Sequence, residues 1–107
     1  MKDRRSAPRV RVNLPARWEG VLSREKATVT DLSRSGCFVL TGGKVEVKEL
    51  VHLEINLTDT QTVNFWGEVV DFASEIGFAL KFNSSTPEDA AILARFLEKF
   101  FVPQPQS

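Results

Sequence analysis

Val51-His52-Leu53-Glu54-Ile55-Asn56-Leu57 alternates apolar and polar residues without a break. Side chains along a β-strand point to opposite faces in turn, so Val51, Leu53, Ile55 and Leu57 share one face and His52, Glu54 and Asn56 share the other. The stretch reads as a half-buried strand. The fold class then follows from how many of its neighbours read the same way.

Toward the C-terminus, Thr58-Asp59-Thr60-Gln61 reads as a turn and Thr62 to Phe72 as a longer strand. That strand carries two apolar sets, Val63, Phe65 and Val69 on one face and Trp66, Val70 and Phe72 on the other, a pattern that predicts cover on both faces. Ala73-Ser74-Glu75 turns the chain into Ile76-Gly77-Phe78-Ala79-Leu80-Lys81-Phe82, with Ile76, Phe78, Leu80 and Phe82 on one face. The period then changes. Thr86 offers a capping hydroxyl, Pro87 suits the first helical position, and Glu88 and Asp89 put acids in the first turn. Ile92, Leu93, Phe96, Leu97, Phe100 and Phe101 recur at spacings of three and four, which predicts a helix over Pro87 to Phe101 whose apolar face packs on the strands. Val102-Pro103-Gln104-Pro105-Gln106-Ser107 cannot continue it.

Toward the N-terminus, Val45 to Glu49 stays undecided, and Thr41-Gly42-Gly43-Lys44 breaks the run with residues that tolerate unusual backbone angles. Cys37-Phe38-Val39-Leu40 reads as a strand, as does the β-branched Ala27-Thr28-Val29-Thr30. Between them lies a polar turn, Asp31-Leu32-Ser33-Arg34-Ser35-Gly36. Glu19-Gly20 and Ser23-Arg24-Glu25-Lys26 form a connection. Val10 to Leu14 and Ala16 to Trp18 alternate around Pro15, and a proline that cannot donate to a ladder places this segment at a sheet edge. About six short strands followed by one helix describe an antiparallel β-barrel or sandwich with a terminal helix plugging or covering it.

A chain of 107 residues fits one domain. Lys and Arg number 14, as do Asp and Glu, so the chain as a whole is no polycation seeking a nucleic acid polymer. The charge is lopsided, however. Residues 1 to 11 hold five basic residues against Asp3 alone, net plus four, and the other 96 residues carry minus four. A single cysteine, Cys37, excludes an internal disulfide and reads as a small buried hydrophobe. No window approaches the roughly 18 apolar residues of a membrane span, and no apolar segment follows the basic start, so a soluble, cytoplasmic protein without membrane insertion is expected.

Catalysis finds little support. His52 is the only histidine and lies on the polar face of a strand; one His and one Cys cannot build a zinc site of the usual type. Neither a Ser-x-x-Lys sequence nor a Gly-x-Ser-x-Gly elbow accompanies Ser33, and no phosphate-binding glycine loop is present. The reading is of a non-enzyme with no metal or cofactor.

Binding is better supported. In Arg5-Ser6-Ala7-Pro8-Arg9 two guanidiniums stand four residues apart, and Pro8 keeps the segment out of a regular helix. Each guanidinium can grip a phosphate, or the O6/N7 edge of guanine, with two parallel hydrogen bonds. Asp31 offers the complement, a carboxylate that accepts from the N–H groups on guanine's other edge, while Ser33 and the backbone near Gly36 supply small donors. Taken singly, the arginines read as a solvated arm and Asp31-x-Ser33 as a turn satisfying its own backbone. It is their occurrence together that points to a ligand. Oligonucleotide binding through Trp18 and Trp66 ranks lower, because zero net charge is poor for tracking a phosphate backbone.

These residues resemble the PilZ domain family, whose members bind the bacterial second messenger cyclic di-GMP. The family pattern is Arg-x-x-x-Arg followed by Asp/Asn-x-Ser-x-x-Gly, here Arg5 to Arg9 and Asp31 to Gly36 in the same order. Val12-Asn13-Leu14-Pro15-Ala16, Phe65-Trp66-Gly67-Glu68-Val69-Val70, Ile76 to Phe82 and Thr86-Pro87-Glu88-Asp89 extend the similarity over nearly the whole chain. The resemblance implies an all-β domain with one helix, a six-stranded antiparallel β-barrel with a C-terminal α-helix. It implies that Arg5 and Arg9 take guanine edges and phosphates, that Asp31 reads a guanine, and that Ser33 and the Gly36 backbone complete the cradle; Arg4 and Arg34 are adjacent charges of lower rank. The expected division of the chain is a flexible basic arm at 1–9 carrying the first motif, a PilZ-like barrel with its helix at 10–102 and a disordered tail at 103–107. Signalling would pass through an unidentified effector protein, and the alternative is an adaptor of the same fold that binds no nucleotide.

Overall fold

The computed structural model describes residues 8–100. Six strands, β1 (Val10–Glu19), β2 (Arg24–Leu32), β3 (Gly36–Leu40), β4 (Leu50–Thr58), β5 (Gln61–Ala73) and β6 (Gly77–Ser84), precede one helix, α1 (Pro87–Glu98). Every pairing is antiparallel, and the order β1-β2-β3-β6-β5-β4 closes on itself into a barrel. Closure decides between barrel and sandwich.

The alternation at 51–57 holds along β4, where Val51, Leu53, Ile55 and Leu57 are all buried. They meet Val29, Val39, Val63, Val69, Phe78 and Leu80 in a single core. Trp18 packs edge-on against Phe78 at 5.1 Å, and its indole N–H donates to the Thr41 hydroxyl at 3.1 Å, so its one polar atom is satisfied inside the core. Phe65 and Phe82 stack at 4.3 Å. Burial at about 25 cal/mol per Å² of apolar surface makes this interior the main stabilising term.

Helix α1 starts as its sequence dictates. The Thr86 hydroxyl accepts from the Asp89 N–H at 3.0 Å, while the Asp89 carboxylate accepts from the Asn64 N–H at 2.9 Å and ties the first turn to β5. Leu93 and Leu97 enter the core. The helix ends at Glu98, short of the expected Phe101, which lies outside the described residues.

Four expectations need correction. β1 is not an edge strand, because Ala16–Glu19 also pair with Ile55–His52 of β4; Pro15 stands just where that second ladder stops, so its missing N–H leaves no gap. β2 begins at Arg24, earlier than Ala27, because β1 supplies ladder partners to Arg24, Glu25 and Lys26 while their side chains stay in solvent. β5 is not covered on both faces. Trp66 and Val70 are each 49% exposed, and a register shift between Val69 and Asp71 interrupts the alternation, carrying Phe72 into register with the buried Phe78 at the barrel rim. Ile76 lies in the turn before β6 and is exposed.

Candidate ligand-binding site

The antiparallel β1–β2 ladder pairs Val10 with Leu32 and Arg11 with Asp31. Arg9, 22 positions before Asp31 in sequence, therefore stands at the same end of the barrel as the turn at 33–36. Arg9 is exposed one residue before that ladder begins. Arg4 and Arg5 lie outside the described residues.

Asp31 is not in the turn, as the sequence suggested, but inside β2, paired with Arg11 on one side and Phe38 on the other. Arg11 Nε stands 3.8 Å from Asp31 Oδ1, with the two side chains 89% and 39% exposed. An ion pair that open to water contributes about 0–1 kcal/mol, so the carboxylate is held only loosely and remains open to another donor.

The turn itself is a hydrogen-bonded knot. Ser33 is 3% exposed, and its hydroxyl accepts from the N–H groups of Ser35 at 3.1 Å and Gly36 at 3.2 Å. The same hydroxyl lies 3.3 Å from the Gly36 carbonyl, which also accepts from the Ser33 N–H at 2.9 Å. Much of the polar capacity of this stretch is thus consumed in shaping the backbone. Arg34 and Ser35 remain exposed at its tip. On the far side the turn is tied to β6, where the Phe82 N–H donates to the Ser35 carbonyl at 2.8 Å. Gly36 has its own reason to be glycine: a Cβ there would collide with the Leu80 carbonyl of β6. Immediately after it, burial pushes the Cys37 thiol far above its ordinary range, and the nearby Asp31 carboxylate raises it further, so the thiol stays protonated.

Sequence reading missed two charged neighbours. Arg11 belongs to neither motif but faces Asp31, and Lys81 stands in register with Gly36. Alternation along β1 marks Arg11 as outward-facing, but its place opposite Asp31 emerges only from the β1–β2 register, as that of Lys81 does from the β3–β6 register. Elsewhere, two cavities of about 360 and 290 Å³ open at the opposite end of the barrel, around Leu22, Val45, Val47 and Phe72. Among the described residues no group of three or more His, Cys, Asp or Glu could hold a metal ion.

The PilZ domain model matches residues 3–99. The chain belongs to the PilZ domain family. Among solved structures, this PilZ domain is similar to the Bacillus subtilis inhibitor of motility MotI/DgrA, with a TM-score of 0.75 at 18% identity over 94% of this chain and 52% of that one. It thus spans about half the length of that protein. It is also similar to the PilZ domain of CeSA from a cellulose-synthesizing bacterium, with a TM-score of 0.68 at 12% identity over 89% of this chain and 99% of the other. At these identities the likeness is one of fold. No curated protein matches the sequence.

Proposed function

We propose that this PilZ domain is a cyclic di-GMP receptor of the bacterial cytoplasm, in which Arg5 and Arg9 close over Asp31, Ser33 and Gly36 and the altered surface is read by an effector protein. The observation that supports the reading is the β1–β2 register, which pairs Val10, the residue after Arg9, with Leu32, the residue after Asp31. In this reading the arginines hold phosphates and guanine edges, Asp31 accepts from guanine N–H groups, and Ser33 and Gly36 keep the turn in shape beneath them. Ordering the arm costs about 1–2 kcal/mol per residue, which the charge-assisted contacts must exceed.

Calorimetric titration with cyclic di-GMP tests it. Saturable heat is expected from the wild type, and Arg9→Ala and Asp31→Ala should each weaken binding by about 1–3 kcal/mol. A silent wild-type titration, or heat indifferent to both substitutions, would overturn the reading and favour an adaptor that binds no nucleotide.

A further inference from the structure

We infer that Lys81 is a further ligand contact of this site, holding a phosphate of the bound dinucleotide from the β6 side. The inference rests on the receptor reading above. Its ground is the cross-strand row that runs from Gly36 on β3 through Lys81 on β6 to Glu68 on β5. Residues paired across strands project from the same face, and Leu80, one position before Lys81, is buried in the core, so Lys81 points outward. Gly36 contributes no side chain to that row. The surface between the turn and the Lys81 stem is therefore bare backbone.

The position is fixed rather than incidental. Phe82, the next residue, donates its N–H to the Ser35 carbonyl at 2.8 Å, which locks this part of β6 to the turn, with β1 and Arg9 on the turn's other side. Two strand spacings, roughly 9–10 Å, separate Asp31 on β2 from β6, and the four-carbon lysine stem can lean across part of that span. Among the described residues the ammonium is also uncommitted. Lys81 is exposed, and among the described residues it makes no ion pair, even with its register partner Glu68.

Charge supplies the reason. A dinucleotide with two phosphates brings two negative charges, while Asp31 adds a third that Arg11 offsets only weakly. Arg9 lies just ahead of β1, on the β1–β2 side of the turn, so the β6 flank needs its own cation, and Lys81 is the basic residue in register with the turn's last position. A compact ammonium suits a phosphate oxygen as a point charge and makes no bidentate claim on a base.

The test is calorimetry with cyclic di-GMP on the full chain at low and high salt, for the wild type, Lys81→Gln, Lys81→Arg, Glu68→Gln and Arg9→Ala. Lys81→Gln should bind about fivefold more weakly at low salt, with the gap closing at high salt, and should melt like the wild type because the residue is exposed. Lys81→Arg should restore most of the loss, and Glu68→Gln, which removes the carboxylate beside the ammonium, should tighten binding by about twofold. Wild-type affinity in Lys81→Gln while Arg9→Ala loses binding would overturn the role of Lys81 and leave the receptor reading standing. Lys81→Arg as weak as Lys81→Gln would overturn it too, and a wild type that does not bind overturns both.

Discussion

The two ends of the barrel are finished by different means. At the end holding Val10, Leu32, Gly36 and Ser84 the connections are short, the turn at 33–36 is bonded through, and helix α1 sends Leu93 and Leu97 into the core. At the other end the long 41–49 connection runs over Trp18, with Gly43 close against the indole ring. There Val21, Leu22, Val47, Leu50 and Ile76 stay exposed, and Lys48 (φ 78°) and Glu75 (φ 64°) adopt left-handed backbone that non-glycine residues enter at a cost. The contrast teaches that the loop end is finished by exposed apolar residues and strained backbone, and the helix end by hydrogen bonds and packed side chains. The two cavities around Leu22 lie at the loop end, while the Asp31 carboxylate, the pinned turn and Arg9 lie at the helix end.

The strongest way to break this contrast is to remove the packing that seals each end. Trp18→Ala should cost about 3–5 kcal/mol and Leu97→Ala about 2–5 kcal/mol in urea unfolding, and equal tolerance of both would mean that the ends are not sealed by these side chains. Next in size is a pH effect seated at the helix end. The Cys37 thiol is held protonated by burial in the folded chain but ionises on unfolding above about pH 8.5. The unfolded state then binds fewer protons than the native one, so stability should fall by about 1.4 kcal/mol per pH unit above that point, a slope that Cys37→Ala should lack. Ser33→Ala takes away the acceptor for two turn N–H groups and should cost about 1 kcal/mol, sharpening the claim that this hydroxyl works inside the turn. Smallest of all, Trp66→Ser on the outer face of β5 should change stability by no more than about 0.5 kcal/mol, because half of that ring is already in water.

What the sequence made legible follows the same division between local and non-local causes. β4 was readable because its seven alternating residues encode both faces, and the helix start was readable because Thr86, Pro87 and Asp89 do their work within one turn. Pro15 misled because its missing donor was read as a sheet edge, whereas barrel closure merely ends one ladder beside it. The shift at Val69 to Asp71 was hidden, since Val-Val-Asp carries no mark of the extra residue until β6 sets the register. The undecided Val45 to Glu49 turns out to lie on β5 through Lys48 N–H to Val69 O at 2.7 Å, a contact between segments about 20 residues apart. In the site, the motif residues were visible by type. Asp31's place inside a strand, the burial of the Ser33 hydroxyl and the backbone contact that requires Gly36 were not, because each depends on a neighbouring strand.

The knot from Ser33 to Gly36 carries a kinetic consequence. Under the receptor proposal, a ligand docking on it would meet a surface already held in shape by these bonds, and encounter with this half of the proposed site would run at the pace of diffusion and orientation, not of refolding. Residence is then set elsewhere. Under that proposal, Ser33→Ala should act mainly on stability, and Arg9→Ala on how long the ligand stays.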